Sequence, residues 1–177
     1  ILQLGNIGKE DFSEEAYFDV IRKKTAALFK ASSQSGAVSV GAVQEEVMKA
    51  GLLGEMIGIA FQIKDDIFDY FESSELGKPT GNDMLEGKLT LPALYVLNQT
   101  GDDSLKQTAL KIRSLEASKE EIANFVETVK EKGGIEYATR MMYEFRDKAL
   151  ALVPASADSS LKEALTAYID YVIERNK

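Results

Sequence analysis

Asp65, Asp66 and Asp69 stand together in FQIKDDIFDYFESSELGKPTGNDMLEGK, residues 61–88, and each interrupts an otherwise apolar helical pattern. Asp65 and Asp69 are one turn apart and share a face, with Asp66 adjacent. Carboxylates this close repel one another unless a cation intervenes. The chain contains no histidine and no cysteine. That excludes a zinc site, a His-based triad, thiolate chemistry and a disulfide framework. A metal here must be a hard cation held by oxygen, Mg²⁺, Ca²⁺ or Mn²⁺. Mg²⁺ fits best, because it keeps several waters and takes one or two carboxylates together with phosphate oxygens. Lys24, Lys78 and Lys88 would then meet the remaining phosphate charge, and LGKPTGND is flexible enough to close over it. This segment is not a P-loop: the spacing is wrong and no strand precedes it. An acidic helix, a divalent ion and lysine clamps together describe diphosphate chemistry in an apolar cavity.

The helices must aim these groups. From Glu55 to Phe71, at about 100° per residue, Glu55, Gly58, Gln62, Asp65, Asp66 and Asp69 fall on one stripe. The apolar arc covers about 200°, roughly twice the width usual for a surface helix. A helix so apolar is largely surrounded by protein, so its acidic stripe is expected to face a wet internal cavity. The competing reading is a solvated acidic face. Gly51, Gly54 and Gly58 each cost about 1 kcal/mol against alanine in a helix interior. They mark either close helix–helix approach, space for a ligand, or a break near Gly51-Gly54. Lys24 has Val20, Ile21, Ala27 and Leu28 at helical spacing around it. It therefore reads as a lysine in a core face, costly unless an anion meets it. The alternatives are a cation lining the same cavity, with Thr25 beside it as a hydroxyl donor, or snorkelling to an edge.

The remaining elements are also helical. Helices are expected over Ser13–Val38, with Ser13 as N-cap, and over Gly41–Phe71, followed by a loop from Glu72 to Thr90. Thr90 can cap a short helix with Pro92 in its early turn, ended by NQTGDD. Further helices are expected from Asp103 to Leu115, from a Ser118/Glu121 capping box to Gly133-Gly134, from Ile135 to Val153, and from Asp158 to Arg175. No strand-like alternation occurs, so the fold class is all-α and residues 1–177 read as one domain. The net charge of −8 argues against nucleic acid. No apolar run reaches the length of a membrane span and no signal peptide is visible, so the expected location is the cytosol. The chain begins at Ile1 and reads as processed, trimmed or a piece of something longer.

GIAFQIKDDIFDY followed by LGKPTGNDMLEGKLTLPAL resembles the second aspartate-rich motif and lysine-bearing loop of the trans-isoprenyl diphosphate synthases (polyprenyl synthetases). KKTAALFKASSQSGA, Lys23 to Ala37, resembles the KT-containing helix of that family. The resemblance is specific over about Lys23 to Leu97 and extends in helical pattern to the end. It implies a helical bundle of the isoprenoid synthase type. It implies Mg²⁺ held by Asp65, Asp66 and Asp69, with Asp65 the most direct ligand. It implies contacts from Lys24, Thr25, Gln62, Lys78 and Lys88 to an allylic diphosphate, with Lys24, Thr25 and Lys78 as the catalytic set and Asp83 orienting the loop lysines. The implied reaction ionises the allylic C–O bond, and isopentenyl diphosphate captures the cation.

A first DDxxD motif and the basic residues that hold isopentenyl diphosphate do not occur before Ser13, and Asp102-Asp103 lies in a downstream turn. The chain is therefore expected to be the C-terminal half of a synthase, without the N-terminal helices and inactive alone. Its expected partners are a second copy in a homodimer, as the family implies, or the missing N-terminal half. A catalytically inactive, synthase-like interaction or regulatory subunit is the alternative. A helical module without ligand and a terpene cyclase, whose second metal motif is of an Asn/Ser/Glu type, match less of the pattern.

Overall fold

The computed structural model describes residues 12–71 and 80–175, and all regular structure among them is helical. Helix α1, Glu14–Ile21, begins where the Ser13 hydroxyl accepts the Ala16 N–H at 3.2 Å. Glu14 and Glu15 occupy its positive end. The single helix expected from Ser13 to Val38 is interrupted by a π-turn, Arg22–Ala26, in which the Ala27 N–H reaches the Arg22 carbonyl. The chain resumes as α2, Ala27–Ser39, and Gly41 leaves it at φ 73°. The extra residue of a π-turn shifts the following face by one position, about 100°. Ile21 and Ala26 are buried accordingly, while Ala27 and Leu28 turn outward. Lys24 is exposed with them, so the core-face position expected for it is not realised.

Helix α3, Gln44–Phe68, is shorter at both ends than the expected Gly41–Phe71. Among the described residues of the stretch expected as loop lies a short helix, α4, Asn82–Leu85. Then follow α5 (Leu91–Thr100), α6 (Asp103–Arg113), α7 (Lys119–Glu131), α8 (Gly134–Ala151) and α9 (Ser159–Glu174). The Ser118/Glu121 capping box is formed, at 2.8 and 3.1 Å. Asp102 and Asp158 cap α6 and α9 with their carboxylates. Thr90 precedes α5 but makes no side-chain cap; it is buried instead, and its hydroxyl lies by Tyr70. Among the described residues no helix is long and apolar enough to cross a membrane.

The chain divides into two compact units. Among the described residues, the first comprises 12–17, 65–71 and 80–139. Tyr70, Val96, Leu97, Ile112, Phe125 and Val126 lie in its core. Tyr95 stacks on Tyr137 at 4.0 Å between ring centroids, and the Tyr137 hydroxyl donates to Glu14 at 2.6 Å.

The second unit comprises 18–64 and 140–175. Here the π-turn and α2 lie close against α3. A Cβ on Gly54 would come within 2.5 Å of the Phe29 carbonyl oxygen, and one on Gly58 within 2.6 Å of the Ala26 Cα. Gly51 likewise abuts Gln34, at 2.7 Å. The glycines therefore serve close helix–helix approach, and α3 runs unbroken through Gly51 and Gly54. Phe29 packs on Phe61 at 5.3 Å, Phe18 on Phe145 at 5.5 Å, and Arg146 pairs with Asp170 at 2.7 Å.

Candidate functional site

Asp65 and Asp66 lie in the last turn of α3 and Asp69 follows it directly, and their surroundings differ. Asp66 is 4% exposed and accepts the Tyr17 hydroxyl at 2.5 Å. Asp65 and Asp69 are half-buried. The Asp69 carboxylate accepts two backbone N–H groups, Asn82 on Oδ1 and Asp83 on Oδ2, each at 3.0 Å. Its carbonyl accepts the Gly81 N–H at 2.8 Å. Gly81 makes this turn at φ 78°, and a Cβ there would meet Ile122 at 2.9 Å. Asp69 thus anchors the start of α4 directly to the acidic motif. Sequence spacing alone gives no sign of either partner, because Tyr17 and α4 lie far from the motif along the chain.

Lys88 pairs with Glu86 and lies 3.7 Å from Asp83, whose carbonyl also accepts the Lys88 N–H at 2.8 Å. Asp83 therefore orients this lysine from both its backbone and its side chain. Lys78 lies outside the described residues. Burial pushes the Tyr17 phenol well above its ordinary range, and the Asp66 carboxylate adds to this. Burial likewise raises Tyr70, next along the chain from Asp69. Tyr17 therefore stays protonated, as the donor to Asp66, over the physiological range.

In the second unit the Thr25 hydroxyl, on the π-turn, donates to Gln62 Oε1 at 2.8 Å. Two residues expected to contact the same ligand are thus brought together, while Lys24 beside them is exposed. The π-turn itself was not legible, although such turns recur at functional sites. Lys64, on α3, has its ammonium lowered by burial and by the Arg175 guanidinium. Arg175 lies over the Phe61 ring at 3.9 Å.

The donor set is all oxygen and suits a hard cation. Among the described residues no three His, Cys, Asp or Glu side chains converge on a point that could hold a metal. As placed, these carboxylates do not form a metal cluster by themselves; ligand oxygens and water would have to complete the shell of a hard cation such as Mg²⁺.

Residues 1–129 match the family described as Polyprenyl synthetase. The chain belongs to the polyprenyl synthetase family. The polyprenyl synthetase match takes in the KT segment, the three aspartates and the lysine loop. The short chain isoprenyl diphosphate synthase of Methanothermobacter thermautotrophicus is 33% identical over 177 residues, 98% of this chain and 53% of that one. The heptaprenyl diphosphate synthase component 2 of Geobacillus stearothermophilus is 36% identical, over 86% of this chain and 48% of its own. The crystal structure of geranylgeranyl pyrophosphate synthase from Bacteroides thetaiotaomicron aligns with a TM-score of 0.93 and 57% identity, covering 98% of this chain and 58% of that one. The all-helical polyprenyl synthetase fold expected from sequence is thus the fold found. The chain spans about half the length of the curated relatives it matches.

Proposed function

We propose that this chain is the C-terminal part of a trans-polyprenyl diphosphate synthase that joins an allylic diphosphate to isopentenyl diphosphate. The observation that carries this reading is the family match across residues 1–129, which contains the KT turn, the acidic end of α3 and the lysine loop in that order. The names of these relatives, each a prenyl diphosphate synthase or a component of one, support it.

In the proposed reaction the allylic C–O bond breaks and its electron pair leaves with the diphosphate. The double bond of isopentenyl diphosphate then attacks the allylic cation, a carbon–carbon bond forms, and a proton is lost. Asp65, Asp66 and Asp69 would hold Mg²⁺ on the diphosphate. When bound, the ion neutralises charge developing on the leaving oxygens. Lys24, Lys78 and Lys88 are the cations this reading assigns to phosphate oxygens, with Lys24, Lys78 and Thr25 as the catalytic set. Asp83 holds Lys88 in register for that role. Thr25 fixes the orientation of Gln62, whose amide nitrogen is the end suited to an anion. The apolar part of α3 keeps water from the cation.

In this reading the complete synthase also needs the groups that hold isopentenyl diphosphate, and it works as a homodimer or as a pair with the chain that supplies them. One relative is named component 2, and this favours a second reading, in which the chain is a subunit without activity of its own. Purified complete synthase incubated with labelled isopentenyl diphosphate, an allylic diphosphate and Mg²⁺ tests the first reading. Extraction of labelled, longer prenyl products is expected. No product with any allylic partner, together with stimulation of a separate synthase, would favour the second.

A further inference from the structure

Tyr17 was not among the residues that sequence pattern brought to the site. It lies on the apolar side of α1 and reads as a core aromatic. Its hydroxyl nevertheless donates to Asp66 Oδ2 at 2.5 Å, across 49 residues of chain. Both side chains are buried, Tyr17 at 8% and Asp66 at 4% exposure. A carboxylate buried in an apolar setting is costly as an anion unless donors meet it. A hydrogen bond from a hydroxyl to a carboxylate is among the stronger kinds. Phenylalanine would fill the same volume, so the hydroxyl has a job that packing does not require. Tyr70 and Asp83 act electrostatically on Tyr17, and Thr90 lies by Tyr70, all within the first compact unit.

We propose that Tyr17 is a positioning residue of the acidic motif, its hydroxyl fixing the Asp66 carboxylate and, through the end of α3, the aim of Asp65 and Asp69 at a metal-bound diphosphate. This rests on the function proposed above. Asp66 sits between the two half-buried acids on one helical turn. A change in its rotamer, or a rotation of the helix end on loss of the Tyr17 donor, moves both neighbours together. Tyr17 acts here without touching substrate.

The test is Mn²⁺ binding to the complete synthase, read by electron paramagnetic resonance in the presence of a non-reactive allylic thiodiphosphate. Tyr17→Phe should remain folded by circular dichroism and should bind Mn²⁺ about tenfold more weakly, as expected for the loss of one charge-assisted hydrogen bond. In the double variant with Asp66→Asn the two effects should be far from additive, because one acts through the other. Unchanged Mn²⁺ affinity in folded Tyr17→Phe, or full additivity, would overturn the inference. If Tyr17→Phe does not fold, Asp66→Asn and Asp66→Ala are compared instead. Asparagine still accepts from Tyr17, so its affinity should fall less, and equal falls would overturn the inference. A wild-type synthase that binds no Mn²⁺ with the analogue would instead reject the functional reading itself.

Discussion

Asp69 holds Asp83 by its backbone: Oδ2 accepts the Asp83 N–H at 3.0 Å while Oδ1 takes that of Asn82 at 3.0 Å. The last aspartate of the motif therefore builds the segment that carries Lys88. Removing it should disturb the loop before it disturbs any metal. Hydrogen bonds to a charged group contribute about 1.5–3 kcal/mol each, less where water competes. Asp69→Ala is expected to lower stability by about 1–3 kcal/mol in urea unfolding. Asp69→Asn, which keeps one acceptor, should cost less. Equal stability of Asp69→Ala and wild type would mean that the two bonds contribute nothing.

Thr25 and Gln62 form a second such pair, at 2.8 Å. Thr25→Val keeps the shape and removes the donor. It should cost about 1 kcal/mol of stability and weaken allylic diphosphate binding about five- to tenfold in calorimetry. Thr25→Ser keeps the hydroxyl and should restore both. Equal behaviour of the valine and serine variants would remove this bond from the account.

The glycines of the second unit separate two effects of one substitution. A Cβ on Gly58 meets backbone, the Ala26 Cα at 2.6 Å, whereas a Cβ on Gly36 meets nothing within 4 Å. Alanine gains about 1 kcal/mol of helix propensity at either position, but overpacking costs about 1–3 kcal/mol. Gly36→Ala should raise Tm and Gly58→Ala should lower it. A rise for both would show that the π-turn and α3 are not in close contact.

Stability at acid pH should report the α7 cap. Glu121 accepts from Lys111 at 2.6 Å and from the Ser118 N–H, and these bonds hold its carboxyl at about 2. An unfolded glutamate titrates near ~4.3, so the unfolded chain takes up the proton first as pH falls. The stabilisation is complete above about pH 4.3 and fades between there and about pH 2. Glu121→Gln should flatten the dependence of stability on pH in that window. High salt should weaken the Lys111 share, since the pair is solvent-exposed. An unaltered acid slope in Glu121→Gln would contradict the assignment.

The parts of the fold written in local chemistry were legible. The Ser118/Glu121 box, the Ser13 cap and the Gly133 turn all depend on neighbours a few residues apart. The order of acidic motif and lysine loop was legible for the same reason. The π-turn was not, because nothing between Arg22 and Ala26 forbids an ordinary helix; the tight seat of Ala26 against Gly58 is a tertiary contact. A regular 3.6-residue period through that turn is what put Lys24 in a core face. The stripe of three aspartates was visible as a stripe, but the different surroundings of each depend on Tyr17 and on α4. No pattern within α3 could separate Asp66, buried against a tyrosine, from Asp65 one position away.

The proposed function requires the acidic end of α3 to recognise diphosphate together with a divalent ion. Calorimetric titration of the complete synthase with a non-reactive allylic thiodiphosphate, with and without Mg²⁺, tests it most directly when wild type is set beside Asp65→Ala. Mg²⁺ should strengthen binding to wild type by an order of magnitude or more, as metal-mediated contacts of a few kcal/mol would, and Asp65→Ala should abolish this gain. Equal binding with and without Mg²⁺, or a gain that survives in Asp65→Ala, would contradict it.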